Sequence, residues 1–182
     1  MILEIVEYGH PALRAKGRKI EKIDHDLLQL ISDMLETMYE ADGVGLAAQQ
    51  VGRPIQLCII DVDGVTDRPS TMWIDGKKVD LSEEMPMVLI NPELELIGKP
   101  KAGVEGCLSF PGLRADVERP PRVKVRAIDA EGQPLVFEAD GLLARAVQHE
   151  YDHLQGVLFI DRLSAKEEQK LDAEYRKYIV RP

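Results

Sequence analysis

The segment His149-Glu150-Tyr151-Asp152-His153 constrains this chain more than any other. On an α-helix, residues four apart are rotated by about 400°, or ~40° beyond one full turn. His149 and His153 therefore project from one face, one turn apart, as two ligands of a single metal ion must. Glu150 lies beside them in projection, within reach of a water on that metal. Leu142 and Ala146 continue the His149/His153 stripe, while Leu143, Val147 and Leu154 share the flank of Glu150. A helix read over residues 141–155 and ended by Gly156 would thus bury two imidazoles and a carboxylate. Such burial is costly unless something pairs with the buried groups, and a metal supplies that partner. The alternative is a chance match on a charged helix, which the apolar stripe disfavours.

Cys107 stands in Gly103-Val104-Glu105-Gly106-Cys107-Leu108-Ser109-Phe110-Pro111-Gly112. Alone it reads as a small buried hydrophobe. Beside a two-histidine helix with no obvious third ligand downstream, it reads as a thiolate ligand suited to zinc or iron(II). Two His and one Cys would leave a fourth position for water, as in a catalytic site rather than a structural one. Cys58, in the apolar run Leu57-Cys58-Ile59-Ile60, reads as packing, and His10 and His25 as surface residues. Gly43-Val44-Gly45-Leu46-Ala47-Ala48-Gln49-Gln50 lacks the features of a phosphate loop. It reads either as a helix-ending turn with small packing residues or as backbone that lines a tight pocket with the Gln50 amide.

The rest of the chain sets the frame. The 182 residues fit one domain, read as 1–182, and the net charge of −9 argues against sequence-specific binding to nucleic acid. Two cysteines make no disulfide framework, the N-terminus does not read as a signal peptide, and no apolar run spans a membrane. A reducing cytoplasm is the expected setting. Residues 1–6 read as extended. A helix is expected over 24–41 with Asp24 as its cap, and another over 164–179 with a capping box at Ser164. Strands are expected at 55–60, 87–91, 94–97, 122–129 and 135–138. Residues 61–85 read as a long excursion or irregular hairpin, and Asp61-Val62-Asp63-Gly64 within it as a plain turn rather than a calcium loop. A run of strands between helices predicts α+β with antiparallel sheets.

The three glycine, cysteine and histidine segments together resemble the peptide deformylase family, whose motifs read G-x-G-L-A-A-x-Q, E-G-C-L-S and H-E-x-D-H. The chain carries all three, in the family's order, at residues 43–50, 105–109 and 149–153. The resemblance implies an α+β fold with antiparallel sheets packed around the metal-bearing helix, plus N-terminal and C-terminal helices. It implies removal of the formyl group from the N-terminal formyl-methionine of nascent polypeptides. It further implies that Cys107, His149 and His153 hold one divalent metal, iron(II) in cells, with zinc, nickel or cobalt able to occupy the site. By the same resemblance Glu150 is the general acid and base, and Gln50 and the Leu108 N–H bind the substrate carbonyl oxygen.

For the peptide itself, Val44, Leu142 and Ala146 are expected as apolar walls around methionine. Gly43, Gly45 and Gly106 are expected to meet the extended peptide backbone, with Arg114 as a further contact or a solvated loop charge. Asp152 is either support for the site or an exposed helix residue. Two other classes fit part of the pattern. A zinc endopeptidase would enlist a downstream carboxylate, Asp161 or Glu167. A metal-stabilised binding module would need a closed four-ligand site. The resemblance also raises ribosome docking through the C-terminal helix, whose mixed charges read equally as a solvated face.

Overall fold

The structure, a computed structural model, describes residues 1–170. In chain order its principal elements are α1 (His25–Glu40), β1 (Gly45–Ala47), β2 (Leu57–Ile60), β3 (Met72–Ile74), β4 (Lys77–Lys78), β5 (Met87–Ile97), β6 (Lys101–Gly106), β7 (Arg114–Arg119), β8 (Arg122–Ile128), β9 (Pro134–Asp140) and α2 (Gly141–Leu154). An antiparallel sheet runs in the order β1-β2-β5-β8-β9-β3-β4, and β6 and β7 form a separate antiparallel hairpin. The α+β reading with antiparallel sheets is the observed architecture.

The apolar run of β2 has a direct cause. Successive side chains of a strand point to opposite faces. Leu57 and Ile59 pack on one face with Leu27, Leu30, Ile31, Met34 and Met38 of α1. Cys58 and Ile60 pack on the other with Leu143, Val147 and Leu154 of α2. The sheet is therefore covered on both faces here, and every residue of β2 is buried. A third apolar cluster joins Phe110, Val117, Leu158 and Phe159 beneath the hairpin.

Both ends of α2 are closed by distant residues. At its start, Asp140 turns its carboxylate to the Thr71 N–H, and the Ser70 hydroxyl instead accepts the Leu143 N–H at 2.8 Å. At its end, the Val157 N–H bonds Asp152 O and the Gly156 N–H bonds His153 O, the double bond of a Schellman motif. The Leu154 carbonyl, an orphan of the last turn, accepts from Gly17 N and from the buried amide of Gln56.

Several expectations change in detail. The strands expected at 87–91 and 94–97 are one strand, β5, whose register against β8 shifts between Ile90 and Glu93. Asn91 makes the break at φ 51°, a conformation its short polar side chain tolerates, and it bonds both backbone groups of Ile20. Residues 1–6 join no ladder; Leu3 N donates to Thr37 Oγ1 and Val6 N to Gln50 O. The 61–85 excursion contains the β3–β4 hairpin, and β3 extends the main sheet beside β9. Within it Asp61 accepts the Asp63 N–H in a local turn. At the C-terminal end, residues 165–170 are helical and Glu167 N donates to Ser164 Oγ. The remainder of the expected third helix lies outside the described residues.

Candidate metal centre and active site

Helix α2 and the residue after β6 bring three soft or borderline donors together. Cys107 Sγ and one ring nitrogen each of His149 and His153 all lie within 4.8 Å of one another. Sγ of Cys107 is 3.4 Å from Nε2 of His153. Bonds of about 2.3 Å to sulfur and 2.0–2.1 Å to nitrogen, at a tetrahedral angle, would set two such donors ~3.5 Å apart. The donor set and its spacing therefore fit a zinc- or iron-type divalent ion. The orientation of His149 agrees, because its Nδ1 lies 2.8 Å from Glu105 Oε1 and leaves Nε2 for the cluster. Among the described residues, Nδ1 of the buried His153 has no hydrogen-bond partner, so its ring is set by packing.

Glu150 is 4% exposed, and its Oε2 has no partner among the described residues. Burial pushes its carboxyl up to about 7, against the opposing pull of His149 and Arg119. Burial, then the charges of His149 and Arg119, holds His153 well below the usual imidazole range, whereas at His149 burial is outweighed by the bonds to Cys107 and Glu105, which raise the ring well above it. A raised carboxyl beside clustered metal donors is equipped to exchange protons near neutral pH. Gly45 makes room for it, since a Cβ at that position would lie 2.6 Å from Glu150 Oε1. Glycine in the first motif is thus required by a side chain of the third.

One cavity of about 650 Å³ gathers the residues expected at the site. Gly43, Val44, Gly45, Gln50, Gly106, Cys107, Leu108, Arg114, Leu142, Ala146, His149 and Glu150 all line it, with the buried His153 behind them. The Gln50 amide is aimed at the cluster: Nε2 donates to Ser109 Oγ at 3.2 Å and lies 3.5 Å from Cys107 Sγ, while Oε1 accepts from Ala47 N. Cys58 is 1% exposed in the α2-facing core, and burial raises its thiol well above the usual range. His10 and His25 are exposed. Of the two carboxylates an endopeptidase would enlist, Asp161 is exposed and paired with Arg14, and neither it nor Glu167 joins the donor cluster.

Beneath the donors lies a buried ion-pair network that the sequence did not reveal. Glu105 takes a fork of bonds from Arg119, at 2.6 Å and 2.9 Å, and another from Arg145 at 2.8 Å. Arg119 also donates to Asp152, which Arg162 grips from outside. Asp152 is 5% exposed, so it is not the exposed helix residue of its second reading. Burial alone would raise the Glu105 carboxyl, but His149 and Arg119 hold it well below the usual range. It therefore accepts from His149 as a carboxylate. Glu105 stood in a recognised motif, but nothing in sequence spacing marks Arg119 or Arg145 as its partners. The signal that could have found them is physical: a buried carboxylate needs a cation.

The polypeptide deformylase family model matches residues 2–169. A peptide deformylase of Methylacidiphilum infernorum is 52% identical over 177 residues, covering 97% of this chain and 93% of that protein. One of Opitutus terrae is 48% identical over 178 residues, covering 97% and 92%. Among solved structures, a peptide deformylase from Synechococcus elongatus in complex with actinonin superposes with a TM-score of 0.79 at 41% identity, covering 95% of this chain and 86% of that one. One from Thermotoga maritima gives 0.75 at 38% identity, covering 90% and 99%. Motifs, fold and relatives agree over nearly the whole length, and the chain is an enzyme of the polypeptide deformylase family.

Proposed function

We propose that this chain hydrolyses the formyl amide at the N-terminal formyl-methionine of new polypeptides, releasing formate and a free amine. The observation that carries the reading is Glu150 Oε2, buried and without a hydrogen-bond partner among the described residues, beside the Cys107/His149/His153 cluster in an open cavity. Those three side chains would hold one divalent ion, iron(II) in cells, with zinc, nickel or cobalt as substitutes. When bound, such an ion supplies Lewis acidity that acidifies water and polarises a carbonyl.

The protein's own groups account for the rest. Glu150 takes a proton from the attacking water and returns it to the departing amine nitrogen, a role open to a buried carboxyl with a free oxygen beside the donor cluster. The Gln50 amide and the Leu108 N–H bind the carbonyl oxygen as charge grows on it. Val44, Leu142 and Ala146 enclose the methionine side chain. The backbone beyond methionine lies extended between residues 43–45 and the end of β6, through main-chain bonds that tolerate varied sequence. Residues 1–182 act as one catalytic domain in a reducing cytoplasm, where the Cys107 thiolate survives. No helix of the described residues is long and apolar enough to cross a membrane. Ribosome docking through the C-terminal helix concerns residues mostly outside those described.

The test is anaerobic purification with elemental analysis, followed by a formate-release assay on a formyl-methionyl peptide. About one ion per chain and formate release are expected. Full turnover by a metal-stripped protein, or cleavage of unformylated internal bonds in place of formate release, would sink the proposal.

A further inference from the structure

The 61–85 excursion is not remote from the cavity. Val65, Asp67 and Arg68 line the same cavity as Cys107 and Glu150. The chain just after them is clamped to the ligand helix. Ser70 Oγ accepts the Leu143 N–H and Thr71 N donates to Asp140. Gly141, at φ 59°, lies so close that a Cβ there would collide with the Pro69 carbonyl. Trp73 then pairs with Glu138 in the sheet. Arg68 is therefore delivered to the cavity from a fixed base on the start of α2.

Its charge is unspent. The chain holds 32 acidic residues against 23 basic ones, so partners abound. Among the described arginines, Arg14, Arg119, Arg122, Arg145 and Arg162 make ion pairs. The described arginines without an ion pair are exposed, apart from Arg68, which is half-buried on the cavity wall. Asp42 and Asp67 line the same cavity, and among the described residues neither makes an ion pair with Arg68. A planar guanidinium held so is matched to a carboxylate, which it can take with two parallel bonds.

We infer that the excursion is a reading wall for the peptide, and that Arg68 takes an acidic side chain downstream of the formylated methionine. The inference rests on the deformylase reading above. It is tested with amide-capped formyl-methionyl peptides in which Asp, Ala or Lys is placed in turn at each of the next few positions. At one position the native, metal-loaded enzyme is expected to prefer Asp over Lys in kcat/KM by about threefold or more, less at high salt. Arg68→Lys keeps the sign of the preference but weakens it, Arg68→Ala removes it and Arg68→Glu reverses it, with melting temperature and metal content checked for each. A flat scan of the native enzyme overturns the inference even if every substitution misfolds. So does an Asp preference that survives Arg68→Ala, or one that disappears only with Arg114→Ala. Failure of the native enzyme to release formate even from the Ala peptide would instead overturn the deformylase reading.

Discussion

Glu105 Oε1 and His149 Nδ1 lie 2.8 Å apart, and the same carboxylate is forked by Arg119 and touched by Arg145. The ring that faces the donor cluster is thus aimed by an anion whose own position is fixed by two cations. Outer partners of this kind typically carry a 10–100-fold effect on metal affinity when lost. Glu105→Gln keeps the shape but removes the charge. It is expected to weaken metal retention in chelator competition by about that factor. It should also destabilise the fold by roughly 1–3 kcal/mol, because Arg119 exchanges a charged fork for a neutral amide and keeps Asp152 as its one buried anion. Native chelator resistance and native stability together would refute the assignment.

Glu150→Gln is expected to keep the ion, since the three donors are untouched, while formate release falls by about 10²–10⁴. Elemental analysis and turnover on the same sample decide the matter. Near-native turnover with metal present would remove Glu150 from the proton-transfer role.

Gly45→Ala would place a methyl group 2.6 Å from Glu150 Oε1. The carboxylate must then move, and displacements near 1 Å can cost about 10² in rate. The expected result is a loss in kcat at unchanged metal content. Equal kcat in the variant would mean that the carboxylate is less confined than the native packing implies.

Arg14 grips Asp161, 147 residues away in sequence, at the surface beside the end of α2. Burial would raise the Asp161 carboxyl, but Arg14 and the Leu158 N–H outweigh it and hold it below 3.8. The folded protein then binds fewer protons than the unfolded chain. The pair's stabilisation is present above the unfolded value and is lost as pH falls through the lowered one. Both side chains are more than a third exposed, 46% and 38%, so the effect is at most ~0.2–1 kcal/mol. In urea denaturation, Arg14→Ala should trail the native protein by that amount at neutral pH, and the gap should close below about pH 4. A gap that widens in acid would contradict the sign.

The candidate site was legible because its chemistry is local. His149, Glu150 and His153 sit on one helical turn, and each of the other motifs is a short peptide. What was not legible depends on what the fold brings together. Residues 87–91 and 94–97 look like two strands because Asn91-Pro92 interrupts the pattern, yet the ladder resumes with a shifted register. The hairpin of β6 and β7 was largely missed, since Lys101-Ala102-Gly103-Val104 carries no clear alternation and is mostly exposed. Nothing around Arg119 in the sequence marks it as buried. Its burial at 2% follows from Glu105 and Asp152, which lie on two other elements.

The closure of α2 at both ends reaches beyond the helix itself. Ser70 and Gln56 come from segments tied into the sheet, so neither terminus of the ligand helix is free to fray into water. Amide protons around His149 and His153 should then exchange at the rate of whole-protein opening rather than by local breathing. The pair of imidazoles that would grip an ion thus stands on a helix that stays formed for as long as the fold does.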